Sequence, residues 1–143
     1  MKPPIQSIEV SYHVHATEDQ GKIQRGVEGV IGQAAEPVTE LLEGHFGNKI
    51  VSSRIHLVGD SAWLAFKSIM SKMPAGLLRE VAEDAESYID EHSAMFIRFD
   101  KQALVRGSLA LGTADVVRLR IKPRAYLMKG GAPSFYRGLM NAG

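Results

Sequence analysis

The sequence predicts an α+β domain, a single layer of largely antiparallel sheet with about three helices packed on one face. Three observations lead there. Apolar and polar residues alternate over Ile8–Ala16 and again over Val116–Pro123, the period of half-buried strands. Pro37–Gly44 and Lys49–Val58 flank His45-Phe46-Gly47-Asn48, whose Gly-Asn pair favours the positive φ of a tight hairpin. Between these segments, apolar residues recur at helical spacing. The order is strand, helix, hairpin, two helices, then two or three strands. Hairpins of this kind build a layer whose second face is left to solvent or a ligand.

In the first strand Ile8, Val10, Tyr12, Val14 and Ala16 point one way, and Glu9, Ser11, His13 and His15 the other. Thr17 stands where a helix N-cap belongs, with Gln20 three residues on and Glu18 and Asp19 in the first turn. Ile23, Val27, Val30 and Ile31 continue to Gly32, but Gly21, Gly26 and Gly29 make this helix depend on packing. In the second hairpin strand Val51, Ser53, Ile55 and Leu57 oppose Ser52, Arg54 and His56. Asp60 or Ser61 caps a helix striped by Ala62, Phe66, Ile69, Met70 and Met73, which Pro74 ends. A second helix turns Leu77 or Leu78, Val81, Ala85, Tyr88 and Ile89 inward. Its Glu80, Glu83, Asp84, Glu86, Asp90 and Glu91 read first as a solvated face. Ala94–Phe99 alternates little and is expected at the centre of the sheet; Phe96 and Phe99, beside Arg98, suit stacking on exposed bases, but apolar residues on both faces place them in the core. Residues 100–108 form a polar, basic connection. Residues 1–124 are expected to make one domain and 125–143 a partly disordered tail.

With 143 residues, 45% of them hydrophobic and 23% charged, the chain can bury one core and is not disordered as a whole. No apolar run reaches about 18 residues and no signal-type segment opens the sequence, so a cytoplasmic protein without a membrane partner is expected. The absence of cysteine excludes disulfides, thiolate metal sites and a cysteine nucleophile, and no cofactor is expected. The net charge of +1 hides an asymmetry. Residues 1–92 hold 8 Lys and Arg against 14 Asp and Glu, whereas residues 93–143 hold 9 against 2. Such a distribution points to an anionic partner at the C-terminal end, or to basic strands neutralised by acidic helices.

Within the basic third, Arg118, Arg120 and Lys122 share one face of the last strand. Same-face neighbours stand about 7 Å apart, close to the phosphate spacing of a nucleic-acid strand. Arg98, Lys101 and Arg106 can widen that ladder into a patch. The competing reading is a row of solvated charges that prevents edge aggregation. His13 and His15 form an H-x-H pair able to serve a metal or the acid–base cleavage of a phosphodiester, with His56 or His45 as a third member. No H-E-x-x-H, phosphate-binding loop, dinucleotide fingerprint or G-x-S-x-G elbow is present.

Four segments carry a resemblance. His15-Ala16-Thr17-Glu18-Asp19, Gly44-His45-Phe46-Gly47-Asn48, Phe96-Ile97-Arg98-Phe99-Asp100-Lys101-Gln102-Ala103 and Val117-Arg118-Leu119-Arg120-Ile121-Lys122 closely resemble the archaeal RNA-binding family described as predicted exosome subunits. The resemblance runs from about residue 5 to residue 124. It implies a fold similar to the large-subunit ribosomal protein that holds 5S rRNA, and RNA and exosome components as partners. It also directs attention to His15, Thr17, Glu18, His45 to Asn48, Arg98, Asp100, Lys101, Gln102, Arg118 and Arg120. Subtracting residues that have a turn, cap or neutralising role leaves Arg98, Lys101, Gln102, Arg106, Arg118, Arg120 and Lys122, with His15 and His45 at the margin. The expected function is non-catalytic RNA binding. A ribonuclease using His13 and His15, and a protein adaptor docking an acidic surface, are the alternatives.

Overall fold

The computed structural model describes residues 2–44, 46–124 and 131–141. In chain order the elements are β1 (Ile5–His15), α1 (Gln20–Ile31), β2 (Val38–Glu43), β3 (Lys49–Val58), α2 (Gly59–Lys72), α3 (Ala75–Glu83), a 3-10 turn (Ala85–Tyr88), β4 (Met95–Asp100), α4 (Lys101–Val105), β5 (Val116–Pro123) and α5 (Ala132–Asn141). Five strands form one sheet in the order β2-β3-β1-β5-β4, every neighbouring pair antiparallel. This is the α+β layer expected, with five helices in place of about three.

Strand alternation sets the two faces. Ile8, Val10, Tyr12 and Val14 of β1, Ile55 and Leu57 of β3, Met95, Ile97 and Phe99 of β4, and Val117, Leu119 and Ile121 of β5 are all buried. The alternate residues, among them Glu9, His13, Arg54, Arg98 and Arg118, stay partly or fully exposed, so the helical layer lies on the first face only. The Ala94–Phe99 segment departs from expectation, because β4 is an edge strand and β1 is central. Its residues do alternate in burial, and Phe96 is an apolar side chain on the open face. Beyond β4, Asp100 donates its N–H to the Ala110 carbonyl at 2.8 Å, and Gly112 to the Arg98 carbonyl at 3.0 Å. This pairing needs glycine, since a β-carbon on Gly112 would stand 2.9 Å from the Asp100 Cα.

The helices also differ in detail from their sequence signals. Asp19, not Thr17, caps α1, its Oδ1 accepting the Lys22 N–H at 3.1 Å, and Ala16 is exposed beyond the end of β1. Val58 precedes α2 without a side-chain cap, and Asp60 lies in its first turn. The helix after Pro74 stops at Glu83, and Ile89 instead bridges to Met95. Gly47 takes φ of +78° in the hairpin turn.

Two predicted RNA contacts, Lys101 and Gln102, belong to an internal clamp. Asp100 caps α4 by accepting the Ala103 N–H at 2.9 Å, which starts a helix where a polar connection was expected. Lys101 is 0% exposed. Its ammonium donates to the His13 carbonyl at 2.8 Å, to Glu18 Oε1 at 2.8 Å and to Asp115 Oδ1 at 2.9 Å, so all three hydrogens are engaged. Glu18 Oε1 also accepts the His15 N–H at 2.8 Å, and Glu18 Oε2 accepts from Gln102 Nε2 at 3.0 Å. The physical reason for the correction is desolvation, because a buried ammonium persists only when paired. Partial burial raises the Glu18 carboxyl's pKa, but bonds from Lys101, His15 and Gln102 outweigh it and hold the net value below its ordinary 4.5.

Within the 125–143 tail expected to be partly disordered, residues 132–141 form α5, and 125–130 lie outside the described residues. Ala132, Tyr136 and Met140, four residues apart on one helical stripe, are buried. The Tyr136 hydroxyl donates to the Ser93 carbonyl at 2.6 Å with the Ile121 carbonyl at 3.2 Å, and burial pushes this phenol well above its usual range. Arg137 reaches the C-terminal end of α3, donating to the Ala82 carbonyl at 2.7 Å and pairing with Glu86 at 2.7 Å.

Two predictions follow from these contacts. Tyr136→Ala is expected to cost about 3–5 kcal/mol and Tyr136→Phe about 1 kcal/mol in urea unfolding. Wild-type stability in Tyr136→Ala would detach α5 from the core. Glu18→Gln puts an amide donor against a neighbouring donor and is expected to cost about 1.5–3 kcal/mol at pH 7. Because the folded-state pKa of Glu18 is depressed, its contribution is complete above the unfolded value and is lost as pH falls through the folded one. The gap between wild type and Glu18→Gln should therefore narrow on acidification below about pH 4.5, and a gap independent of pH would contradict the ionised clamp.

Candidate nucleic-acid interface

Antiparallel register turns the polar halves of four strands into two cross-sheet rows. His56, Glu9, Arg120 and Phe96 lie side by side across β3, β1, β5 and β4; Arg54, Ser11, Arg118 and Arg98 form the next row. Lys122, opposite Ser7, extends the β5 ladder one step further. Adjacent members of that ladder are about 7 Å apart, as the strand rise requires.

The register brings Arg98 directly opposite Arg118. Both are exposed, and among the described residues no carboxylate oxygen lies within 4.0 Å of either guanidinium. Like charges facing each other across a ladder cost up to about 1 kcal/mol, which an intervening anion would offset. Arg120 is half-buried, its guanidinium 5.8 Å from the Phe96 ring centroid, and its Nε is buried without a hydrogen-bond partner among the described residues. Lys122 is exposed and forms no ion pair with a described residue.

The platform is not free of negative charge. Glu9 sits in its middle, Oε1 3.5 Å from the Arg54 Nε, and so neutralises the β3 side more than the β5 side. Arg106 lies at the C-terminal end of α4, outside the sheet rows. His15 is exposed at the end of β1, its Nε2 3.7 Å from Asp115 Oδ1, and His45 lies outside the described residues. The structure thus brings Arg98, Arg118, Arg120 and Lys122 together, places His15 at their margin, buries Lys101 in the clamp, and leaves Gln102 exposed at the clamp's edge.

A cleft of about 300 Å³ opens on this face where Ser11, His13, Ser52 and Arg54 meet Asp115 and Arg118. His13 and His15 share the face as their spacing predicts. Among the described residues, no group of three His, Asp or Glu side chains is placed to hold a metal ion. No described helix is long and apolar enough to cross a membrane. Arg54 was not among the expected contacts, and Phe96, weighed for base stacking but placed in the core, lies on the open face. The polar alternation of β3 signalled the first, but only the strand order shows that Phe96 faces outward.

Comparison with known proteins agrees with a nucleic-acid ligand. Over 136 residues the chain is 32% identical to the RNA-binding protein PAB1135 of Pyrococcus abyssi, covering 86% of this chain and 84% of that protein. The solved structure of protein AF2318 from Archaeglobus fulgidus matches with a TM-score of 0.81 at 25% identity, over 94% of this chain and 99% of that one. Mth689, a DUF54 protein from Methanothermobacter thermautotrophicus, matches with 0.77 at 27% identity, over 96% and 98%. The family model described as RNA binding matches residues 7–123, the span that holds the whole sheet apart from its first two residues, and the chain belongs to that RNA-binding family.

Proposed function

We propose that the chain binds RNA through the open sheet face, holding phosphates with Arg98, Arg118, Arg120 and Lys122, and does not cleave it. The observation that carries this reading is the Arg98–Arg118 opposition, two exposed arginines directly opposite across the β4–β5 ladder with no carboxylate of a described residue in range, where a phosphate can bridge them. The buried Lys101 has no direct part, while Gln102, Arg106 and His15 stand at the edge of the contact. Association with exosome components is the finer part of the proposal and rests on the family resemblance of the four motifs. Co-purification that survives nuclease treatment is its test; loss of every partner on that treatment would reduce it to RNA-bridged contact.

The RNA reading itself is tested by fluorescence anisotropy at several salt concentrations. Wild type is expected to bind with an affinity that falls steeply as salt rises. Arg98→Ala combined with Arg118→Ala should weaken binding evenly across sequences and flatten the logarithmic salt slope by about 0.7 per lost single-strand contact. An affinity indifferent to salt would overturn phosphate contact. Labelled RNA incubated with the protein, with and without EDTA, is expected to stay intact. Cleavage abolished by His15→Ala would establish the ribonuclease alternative instead.

A further inference from the structure

We infer that the cavity beside Phe96 receives an unpaired nucleobase, so that the RNA recognised by the open face is single-stranded or bulged and not continuous duplex. This rests on the reading that the face binds RNA, and it names the class of RNA.

The cavity encloses about 440 Å³ on the outer flank of β4. Its walls are Phe96 and Arg98 from β4, Tyr88 and Ile89 from the turn before it, and Leu111 and Thr113 from the segment after it. The volume falls at the lower end of the range for small-ligand sites, roughly 300–1,000 Å³, which suits one nucleoside and not a helix. Ser87, Asp90 and Gly112 complete the lining, so aromatic and aliphatic walls for the faces of a base stand beside one guanidinium and one carboxylate, the Asp90 Oδ1 already accepting the His92 and Ala94 N–H groups.

Phe96 gives the cavity its chemistry. The two rows of the open face are otherwise charged, histidyl or hydroxyl-bearing, and this ring lies among them beside the Arg120 guanidinium at 5.8 Å. Aromatic rings and guanidinium planes on a sheet are stacking platforms for unpaired bases. The buried Arg120 Nε, without an acceptor among the described residues, supplies a donor for a base edge or phosphate next to that ring. Arg98 lies both on the cavity wall and directly opposite Arg118, so a phosphate bridging the two arginines would hold its own nucleoside within reach of Phe96.

Two competing occupants fit less well. An A-form duplex keeps its bases stacked inside and presents only backbone and groove edges, leaving an apolar cavity unused. A peptide adding to the β4 edge would need backbone groups that are already taken. The Arg98 carbonyl accepts from Gly112 and the Asp100 N–H donates to Ala110.

The test compares a single strand, a perfect duplex and a duplex with a one-nucleotide bulge, using wild type, Phe96→Leu, Phe96→Trp and the Arg98→Ala/Arg118→Ala double variant. Circular dichroism checks that each variant is folded. Wild type should prefer the single strand and the bulge to the perfect duplex, and 2-aminopurine at the bulge should lose fluorescence on binding. Phe96→Leu should lose about tenfold or more in affinity for the unpaired ligands, abolish the quenching and leave duplex affinity unchanged, while Phe96→Trp restores both. Equal wild-type affinity for the three RNAs, or an unaltered preference in Phe96→Leu, would overturn the base-pocket inference while leaving phosphate binding intact. Failure of wild type to bind any of them with salt dependence would overturn the broader RNA reading.

Discussion

The open face depends on the buried ammonium of Lys101. One atom ties the end of β1 through the His13 carbonyl, the start of the α1 region through Glu18, and the loop entering β5 through Asp115. These points flank the sheet rows that carry the arginines. A buried cation is a demanding constraint because removing an acceptor leaves its charge less well compensated away from water. Glu18 is the most heavily used partner. Its two oxygens accept from a backbone N–H, an ammonium and an amide, which joins His15 and Gln102 to the same network. Motif residues that look available for a ligand are therefore tied to the strand ends that flank the arginine rows.

Beyond the clamp, charge is distributed across the sheet with a gradient. On the β3 side, Arg54 is offset by Glu9. On the β5 and β4 side, Arg118, Arg98 and Lys122 have no carboxylate within ion-pair distance among the described residues. The acidic helical region does not supply one either. Glu86 pairs with Arg137 of α5 at 2.7 Å. The asymmetry visible between the two parts of the sequence thus survives folding as an asymmetry between strands, and the C-terminal helix helps preserve it by engaging Glu86.

Much of this was legible locally. Alternation identified β1, β3 and β5 and assigned their faces, since a side-chain period of two leaves little freedom once one face is buried. It could not reveal strand order. The apolar Phe96 made β4 look buried on both sides, whereas its ring closes one end of a row whose other members are polar. Lys101 was misread for a related reason: it lies between Asp100 and Gln102, while its partner Glu18 is 83 residues away and its backbone acceptor 88. The breakers of the tail hid the helix over Ala132–Asn141. Pro133 is tolerated in the first turn of α5, where its missing N–H has no partner to lose, and the spacing of Ala132, Tyr136 and Met140 carried the helical signal.

The clamp and the cavity meet in one segment. Residues 110–112 pair with the outer edge of β4, Leu111 and Thr113 line the cavity, and Asp115 holds Lys101 before the chain enters β5. The segment is short and fixed at both ends. Its path is set on one side by the close approach of Gly112 to Asp100 and on the other by an ion pair at 2.9 Å. A base entering beside Phe96 would therefore meet a wall that is already positioned, which reduces the ordering cost that weakens flexible sites. The same logic ties the buried lysine to the cavity wall through Asp115. The lysine binds no phosphate, yet it sets the distance between the arginine pair and the wall facing Phe96.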